Sequence, residues 1–286
     1  MILVTGAGGK TGVAVLKALV ARGASVRAFA RSNSHRAALK AIGVHDIVVG
    51  EMDDPHAWSQ AVGGTSAVYH ICPNMSPKEL AFANAAVAAA VTHGISRVVY
   101  HSVLHPQIEA MPHHWAKLRA EEMLLTSGLD VTILRPTAYM QNSLAEWNRM
   151  LGDGIYRVPY PVDTRLSLVD LNDVAEAAAL VLTEAGHSGA SYELVGTAPT
   201  SQIEIAETFG HALQRAVRAE AEPIEVWNHR ARNAGMGDYQ RETLTKMFQA
   251  YARDGLKGNP NVLGWLLKRP PTSLAAFAAR MAATHA

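Results

Sequence analysis

Only one cysteine, Cys72, occurs among the 286 residues, which excludes an intramolecular disulfide and a cysteine-based metal cluster. Charge of one sign is missing too. Acidic and basic side chains number 25 and 26, for a formal net charge of +1, so no basic excess points to nucleic acid or an anionic membrane as a partner. No apolar run is long enough to span a bilayer. The chain starts directly on the apolar Met1-Ile2-Leu3-Val4, without the charged and apolar regions of a secretory leader. Repeats, low-complexity tracts and an obvious linker are absent as well. The expectation is a soluble, cytoplasmic protein with no membrane and no nucleic-acid partner.

Two motifs fail on inspection. His101, His105, His113 and His114 cluster in sequence, but the chain has 13 histidines, no His-Glu-x-x-His, and no nearby acid at ligand spacing beyond Glu109. No metal is expected. Gly8-Gly9-Lys10-Thr11 matches the end of a P-loop, yet Val4 stands where that motif needs its first glycine. A nucleotide-triphosphatase reading therefore falls.

What is present is a hydrophobic content of 49%, enough for a large core, and a regular alternation of strand and helix patterns. Apolar runs at 1–4, 25–30, 46–50, 67–71, 97–101 and 131–134 read as strands. Between them lie helical patterns, including 34–42 from a Ser34 cap, a segment opened by Asp54-Pro55, an alanine-rich stretch closed by Gly94, and 113–127 closed by Gly128. Buried strands alternating with helices predict an α/β fold, a doubly wound parallel sheet of Rossmann type.

The pattern changes after Pro136. Residues 1–150 are expected to form the dinucleotide-binding domain and 151–286 mainly a smaller C-terminal substrate lobe. The chain is expected to return to the sheet near 166–195, through Leu166-Ser167-Leu168-Val169 and a helix at 172–182. Segment 139–160, the loop 103–112 and the tail with Trp227, Met236, Tyr239 and Phe248 suggest an apolar pocket for a flat or aromatic molecule. For each of these residues alone, lobe core is the better explanation. Residues 228–237 read as a loop able to act as a lid.

The most specific feature is Thr5-Gly6-Ala7-Gly8-Gly9-Lys10-Thr11-Gly12, set between the first strand and a helix. Glycines permit a tight turn and close backbone approach. The free N–H groups and positive dipole end of the helix favour a pyrophosphate. At the end of the second strand, Ala30-Arg31-Ser32-Asn33 offers no acid for a ribose 2′-hydroxyl, while the Arg31 fork suits a 2′-phosphate. NADP is therefore expected in preference to NAD.

With these residues in view, the chain resembles the short-chain dehydrogenase/reductase superfamily, and within it the atypical NmrA-like branch that includes quinone reductases and triphenylmethane-dye reductases. The resemblance rests on the Gly6-x-x-Gly9-x-x-Gly12 turn, Arg31, and Gly50-Glu51-Met52-Asp53-Asp54. It continues through Tyr100-His101-Ser102-Val103, Leu134-Arg135-Pro136-x-x-Tyr139-Met140-x-Asn142, and Lys268-Arg269-Pro270-Pro271-Thr272. It implies cofactor contacts from Thr5, Gly6, Gly8, Gly9, Lys10, Thr11, Gly12 and Arg31, from Glu51 and Met52 by the adenine, and from Cys72, Pro73 and Asn74 by the ribose. Tyr139 and Asn142 would close over the nicotinamide. Superfamily habit also implies a homodimer.

Most superfamily reductases use Tyr-x-x-x-Lys, two residues on one helix face. Here the frame reads His113-His114-Trp115-Ala116-Lys117, so the lysine that binds ribose is present and histidine replaces tyrosine. The resemblance makes Lys117, His113 and Ser102 the catalytic candidates. Three readings stay open. His113 or His114 acts as general acid; an electron-poor substrate such as a quinone takes hydride without one; or the chain is a redox-sensing regulator that binds NADP without turnover.

Overall fold

The computed structural model describes residues 1–285. It divides into two compact units, one made of Met1–Ile108, His113–Arg135 and Val174–Tyr192, the other of Glu109–Pro112, Pro136–Asp173 and Glu193–Ala286. One change of unit falls at Pro136, and beyond it residues 140–153 form short helical turns whose Trp147 side chain packs edge-on against Phe209.

In chain order the first unit holds β1 (Ile2–Val4), α1 (Lys10–Ala21), β2 (Val26–Ala30), α2 (Arg36–Ala41), β3 (Asp46–Val49), α3 (Pro55–Val62) and β4 (Ala67–His70). Then follow α4 (Glu79–Thr92), β5 (Arg97–His101), α5 (Pro112–Leu125) and β6 (Asp130–Pro136). The strands stand in the order β3-β2-β1-β4-β5-β6, paired in parallel. A seventh strand follows β6 at the edge. Strand order reverses between β1 and β4, which is where ligands bind in doubly wound sheets, outside the carboxyl ends of the strands.

Local chemistry explains the punctuation. The Asp54 carboxylate accepts the His56 amide at 2.9 Å, and Pro55 occupies the first turn of α3. Gly94 and Gly128 take positive φ just beyond α4 and α5. The helix expected from Ser34 is shorter, a 3-10 turn at Asn33–His35 leading into α2. Ser34 caps nothing there, because its hydroxyl meets that of Ser32 at 2.6 Å. The core of this unit includes Leu3, Phe29, Trp58, Val68, Val98, Tyr100, Leu124 and Ile133, with Phe29 edge-on to Trp58.

Beyond β6 come β7 (Ala138–Tyr139), α6 (Trp147–Asp153), β8 (Ile155–Val158), β9 (Arg165–Leu166), β10 (Leu168–Val169), α7 (Leu171–Thr183), β11 (Ser191–Leu194), β12 (Thr200–Ser201) and α8 (Gln202–Leu213). The chain ends with β13 (Arg218–Ala221), α9 (Ile224–Asn233), α10 (Asp238–Asp254), α11 (Asn261–Leu267) and α12 (Leu274–His285). The seventh strand of the main sheet is β11. The stretch Leu166–Val169 does not join that sheet. Its halves pair separately, β9 with β12 and β10 with β7, and the chain returns to the first unit through the greater part of α7. Ser201 caps α8 in a capping box with Glu204.

One further expectation changes in part. Of 228–237 only 234–237 lie outside a helix: α9 runs to Asn233, with Trp227 and Ala231 buried on its inner face. The aromatic side chains are mainly lobe core. Trp227 and Tyr160 both pack on Phe248, Tyr160 also meets Tyr251, and Phe209 joins Trp147 to Phe277. Tyr239 remains 38% exposed.

Candidate active site

The glycine turn is shaped by close approaches of its own backbone. Gly6 has φ +57°. A Cβ on Gly12 would lie 2.4 Å from the Gly6 carbonyl oxygen, and one on Gly8 would lie 2.4 Å from the His35 ring. Gly9 caps α1 with no side-chain hydrogen bond, so first-turn N–H groups stay available for an anion. This turn fits a dinucleotide pyrophosphate. Lys10 is exposed beside it, and Thr11 and Gly12 are buried.

Thr5 has a different place from the rest of the motif. It is fully buried, and its hydroxyl accepts the Ile71 amide at 2.9 Å while meeting Ile71 O and His70 Nδ1. It ties the end of β1 to the end of β4 and shapes the turn without facing solvent. Arg31 is exposed and has no ion-pair partner among the described residues. Arg36, nearby, donates to Asn33 Oδ1. Glu51 is exposed; Met52 packs on the core and its carbonyl accepts Trp58 Nε1 at 2.7 Å. After β4, Cys72 is buried while Pro73 and Asn74 are exposed. Burial, then Glu79, pushes the Cys72 thiol up, which makes it an inert thiol.

Lys117 reaches the carboxyl end of β5. Its ammonium donates to the His101 carbonyl and to Glu79 Oε1, each at 3.1 Å, and lies 5.2 Å from the centre of the Tyr100 ring. The Tyr100 hydroxyl donates to the same Glu79 oxygen at 2.7 Å. Burial opposes ionisation of Glu79, but Lys117, Tyr100 and His70 outweigh it and hold the carboxyl below its usual range.

Ser102 is buried, and its hydroxyl donates to Glu121 Oε1. The Glu121 carboxylate also takes a two-pronged contact from Arg135, Nε at 3.0 Å and Nη2 at 2.5 Å. His113 stands edge-on to His114, ring centres 4.5 Å apart, and its Nδ1 is buried without a hydrogen-bond partner. Burial, followed by His114 and Lys117, pushes the His113 imidazole down to about 3. His114 donates Nδ1–H to the His105 carbonyl and is pushed down, mainly by burial, to about 4. Both rings are neutral at neutral pH, so neither is a reservoir of imidazolium protons. Among the described residues no three His, Cys, Asp or Glu side chains gather as a metal site.

Tyr139 and Asn142 belong to the second unit. Their segment is anchored by Gln141, whose amide donates to Asp170 Oδ1 at 2.7 Å and accepts the Leu171 amide at 3.1 Å. Asn142 is exposed. The Arg269…Thr272 motif is anchored likewise: Arg269 and Thr272 converge on the buried Asp173 carboxylate at 2.6–3.0 Å.

Sequence reasoning missed Glu79, Glu121, His35 and Asp170, and gave Tyr100 no role. One signal was available: Arg135 in an otherwise apolar strand needs a buried acid, and Glu121 sits one turn beyond Lys117 on α5.

The sheet order and the glycine-rich turn at its switch point define a Rossmann-type dinucleotide-binding protein. The chain belongs to the NmrA-like family, whose model matches residues 1–271. It is 26% identical to an NAD(P)H azoreductase of Xenophilus azovorans over 99% of this chain and 98% of that protein. It is 30% identical to a (4-alkanoyl-5-oxo-2,5-dihydrofuran-3-yl)methyl phosphate reductase of Streptomyces griseus, over 88% and 86% of the two chains. The crystal structure of the NADPH-dependent quinone oxidoreductase QOR2 of Escherichia coli in complex with NADPH superimposes with a TM-score of 0.86 at 25% identity, covering 98% of this chain and 99% of that one.

Proposed function

We propose that this protein is an NADPH-dependent oxidoreductase that reduces a small, electron-poor organic substrate such as a quinone or an activated carbonyl. The observation that carries the reading is the turn Gly6–Gly12, closed so tightly that a Cβ at Gly12 would collide with the Gly6 backbone, at the point where strand order reverses. The full-length likeness to NAD(P)H-dependent reductases supports the same class.

The turn and the first amides of α1 bind the pyrophosphate. Exposed Arg31 holds the 2′-phosphate, and Lys117 offers its ammonium to the ribose. When bound, the nicotinamide supplies a hydride. Tyr139 and Asn142 belong to the nicotinamide end in this reading. His113 takes part as a neutral ring, able to donate one N–H hydrogen bond, so the favoured substrates are those that accept hydride before protonation by water. Ser102 orients Glu121 and Arg135 and makes no contact with substrate.

Cytoplasmic residence belongs to this reading, and among the described residues no helix is long and apolar enough to cross a membrane. A second reading, an NADP-binding redox sensor without turnover, draws on one observation, the unprotonated histidine at the usual tyrosine position. Assay of NADPH oxidation against a panel of quinones, azo dyes and aldehydes separates the two. Turnover with a quinone is the expected result; tight NADPH binding without turnover on any of them establishes the sensor.

A further inference from the structure

We propose that Glu79 is a positioning residue for Lys117: a carboxylate supplied by α4 that fixes the lysine ammonium at the carboxyl end of β5 and so orders it for the cofactor. This rests on the NADPH reading above and extends it to a residue outside the Tyr-x-x-x-Lys frame.

Glu79 opens α4, where a negative charge is favoured by the helix dipole, yet its side chain is only 5% exposed. A carboxylate so placed needs partners, and Tyr100 at 2.7 Å and Lys117 at 3.1 Å meet it on the same oxygen, with the Cys72 thiol a further hydrogen-bond partner. Lys117 keeps a third contact to the His101 carbonyl, and its side chain retains 14% exposure. Three points from α4 and β5 therefore define where one flexible four-carbon side chain ends. A lysine without them would lose rotamer freedom on binding a ribose; this one is ordered beforehand.

The rings around Lys117 carry no charge at neutral pH. His70 from β4, His101 from β5, and His113 and His114 from α5 are pushed down to between about 3 and 4, chiefly by burial. The Cys72 thiol after β4 and the Tyr100 hydroxyl are pushed up, again chiefly by burial. Glu121 of α5 is held by Ser102 and Arg135. Glu79 is the carboxylate that meets the Lys117 ammonium.

The test is NADPH affinity at pH 7, read by fluorescence titration, for the wild type, Glu79→Gln, Glu79→Asp, Lys117→Met and the double variant Glu79→Gln/Lys117→Met. Lys117→Met loses about tenfold in affinity, the worth of one charge-assisted hydrogen bond. Glu79→Gln loses about three- to tenfold, since the lysine is no longer ordered beforehand. Glu79→Asp recovers most of that loss. In the Lys117→Met background Glu79→Gln changes nothing further, because Glu79 acts through the lysine. Wild-type affinity in Glu79→Gln, no recovery in Glu79→Asp, or a further loss in the double variant overturns the proposal. If Glu79→Gln does not fold, the double variant, which removes both charges, decides by comparison with Lys117→Met. A wild type that shows no saturable NADPH signal overturns the cofactor reading itself, a result distinct from either.

Discussion

The hydroxyl of Ser102 donates to the buried carboxylate of Glu121, and Arg135 grips that carboxylate with two nitrogens. A serine after the fifth strand resembles a substrate-binding group in this superfamily, but here its one proton is already committed. Ser102→Ala should leave kcat/KM for a quinone within about threefold of the wild type, and lower stability by about 1 kcal/mol through the lost hydrogen bond. Steady-state kinetics and thermal unfolding read both. A loss of a hundredfold in kcat with unchanged stability would return Ser102 to the chemistry.

Arg31→Ala should weaken NADPH binding by about ten- to a hundredfold, the range for one or two charge-assisted hydrogen bonds to a phosphate, and leave NADH binding unchanged. Fluorescence titration with both cofactors measures the ratio. Unchanged discrimination between them would place the 2′-phosphate elsewhere.

Two glycine-to-alanine substitutions should have opposite signs. Gly12→Ala puts a Cβ 2.4 Å from the Gly6 carbonyl, so the turn must open; NADPH binding is lost and stability falls by about 1–3 kcal/mol. Gly152 lies within α6 with nothing within 4 Å of an added Cβ, and Gly152→Ala should raise stability by about 0.5–1 kcal/mol. Calorimetry and cofactor titration check the pair.

Four buried histidines make the fold acid-sensitive. His70, His101, His113 and His114 are pushed down to about 3 or 4 in the folded chain, while in the unfolded chain a histidine titrates near 6.5. Below about pH 6.5 the unfolded state binds more protons, so stability is full above that pH and falls as pH drops toward 3–4. The slope is up to about 1.4 kcal/mol per pH unit for each histidine. Thermal unfolding from pH 8 to 4 should show the fall, and His113→Phe should flatten it by one proton. A flat profile would mean these rings are protonated in the fold.

The sheet was legible in the sequence because its strands are short apolar runs separated by strong punctuation, as at Asp54-Pro55 and Gly94. The cradle at Gly6–Gly12 was legible for the same reason: its glycines answer a local geometric need. Pairings between distant residues were not. Leu166–Val169 has the composition of a sheet strand, but its halves pair opposite Thr200 and Ala138, which periodicity does not reveal. Asn228 to Gly237 is polar enough to read as loop, yet Trp227 and Ala231 bury one face and draw most of it into α9. Glu79 is a single acid at the start of an alanine-rich helix and reads as solvated. Only tertiary packing brings Tyr100 and Lys117 onto it.

The most direct test of the central claim is the absorbance of NADPH at 340 nm in the presence of enzyme and a para-quinone. The account predicts oxidation of one NADPH per quinone reduced, with NADH a poorer donor and Lys117→Met slower. Saturable NADPH binding with no loss of absorbance on any quinone, azo dye or aldehyde would contradict it.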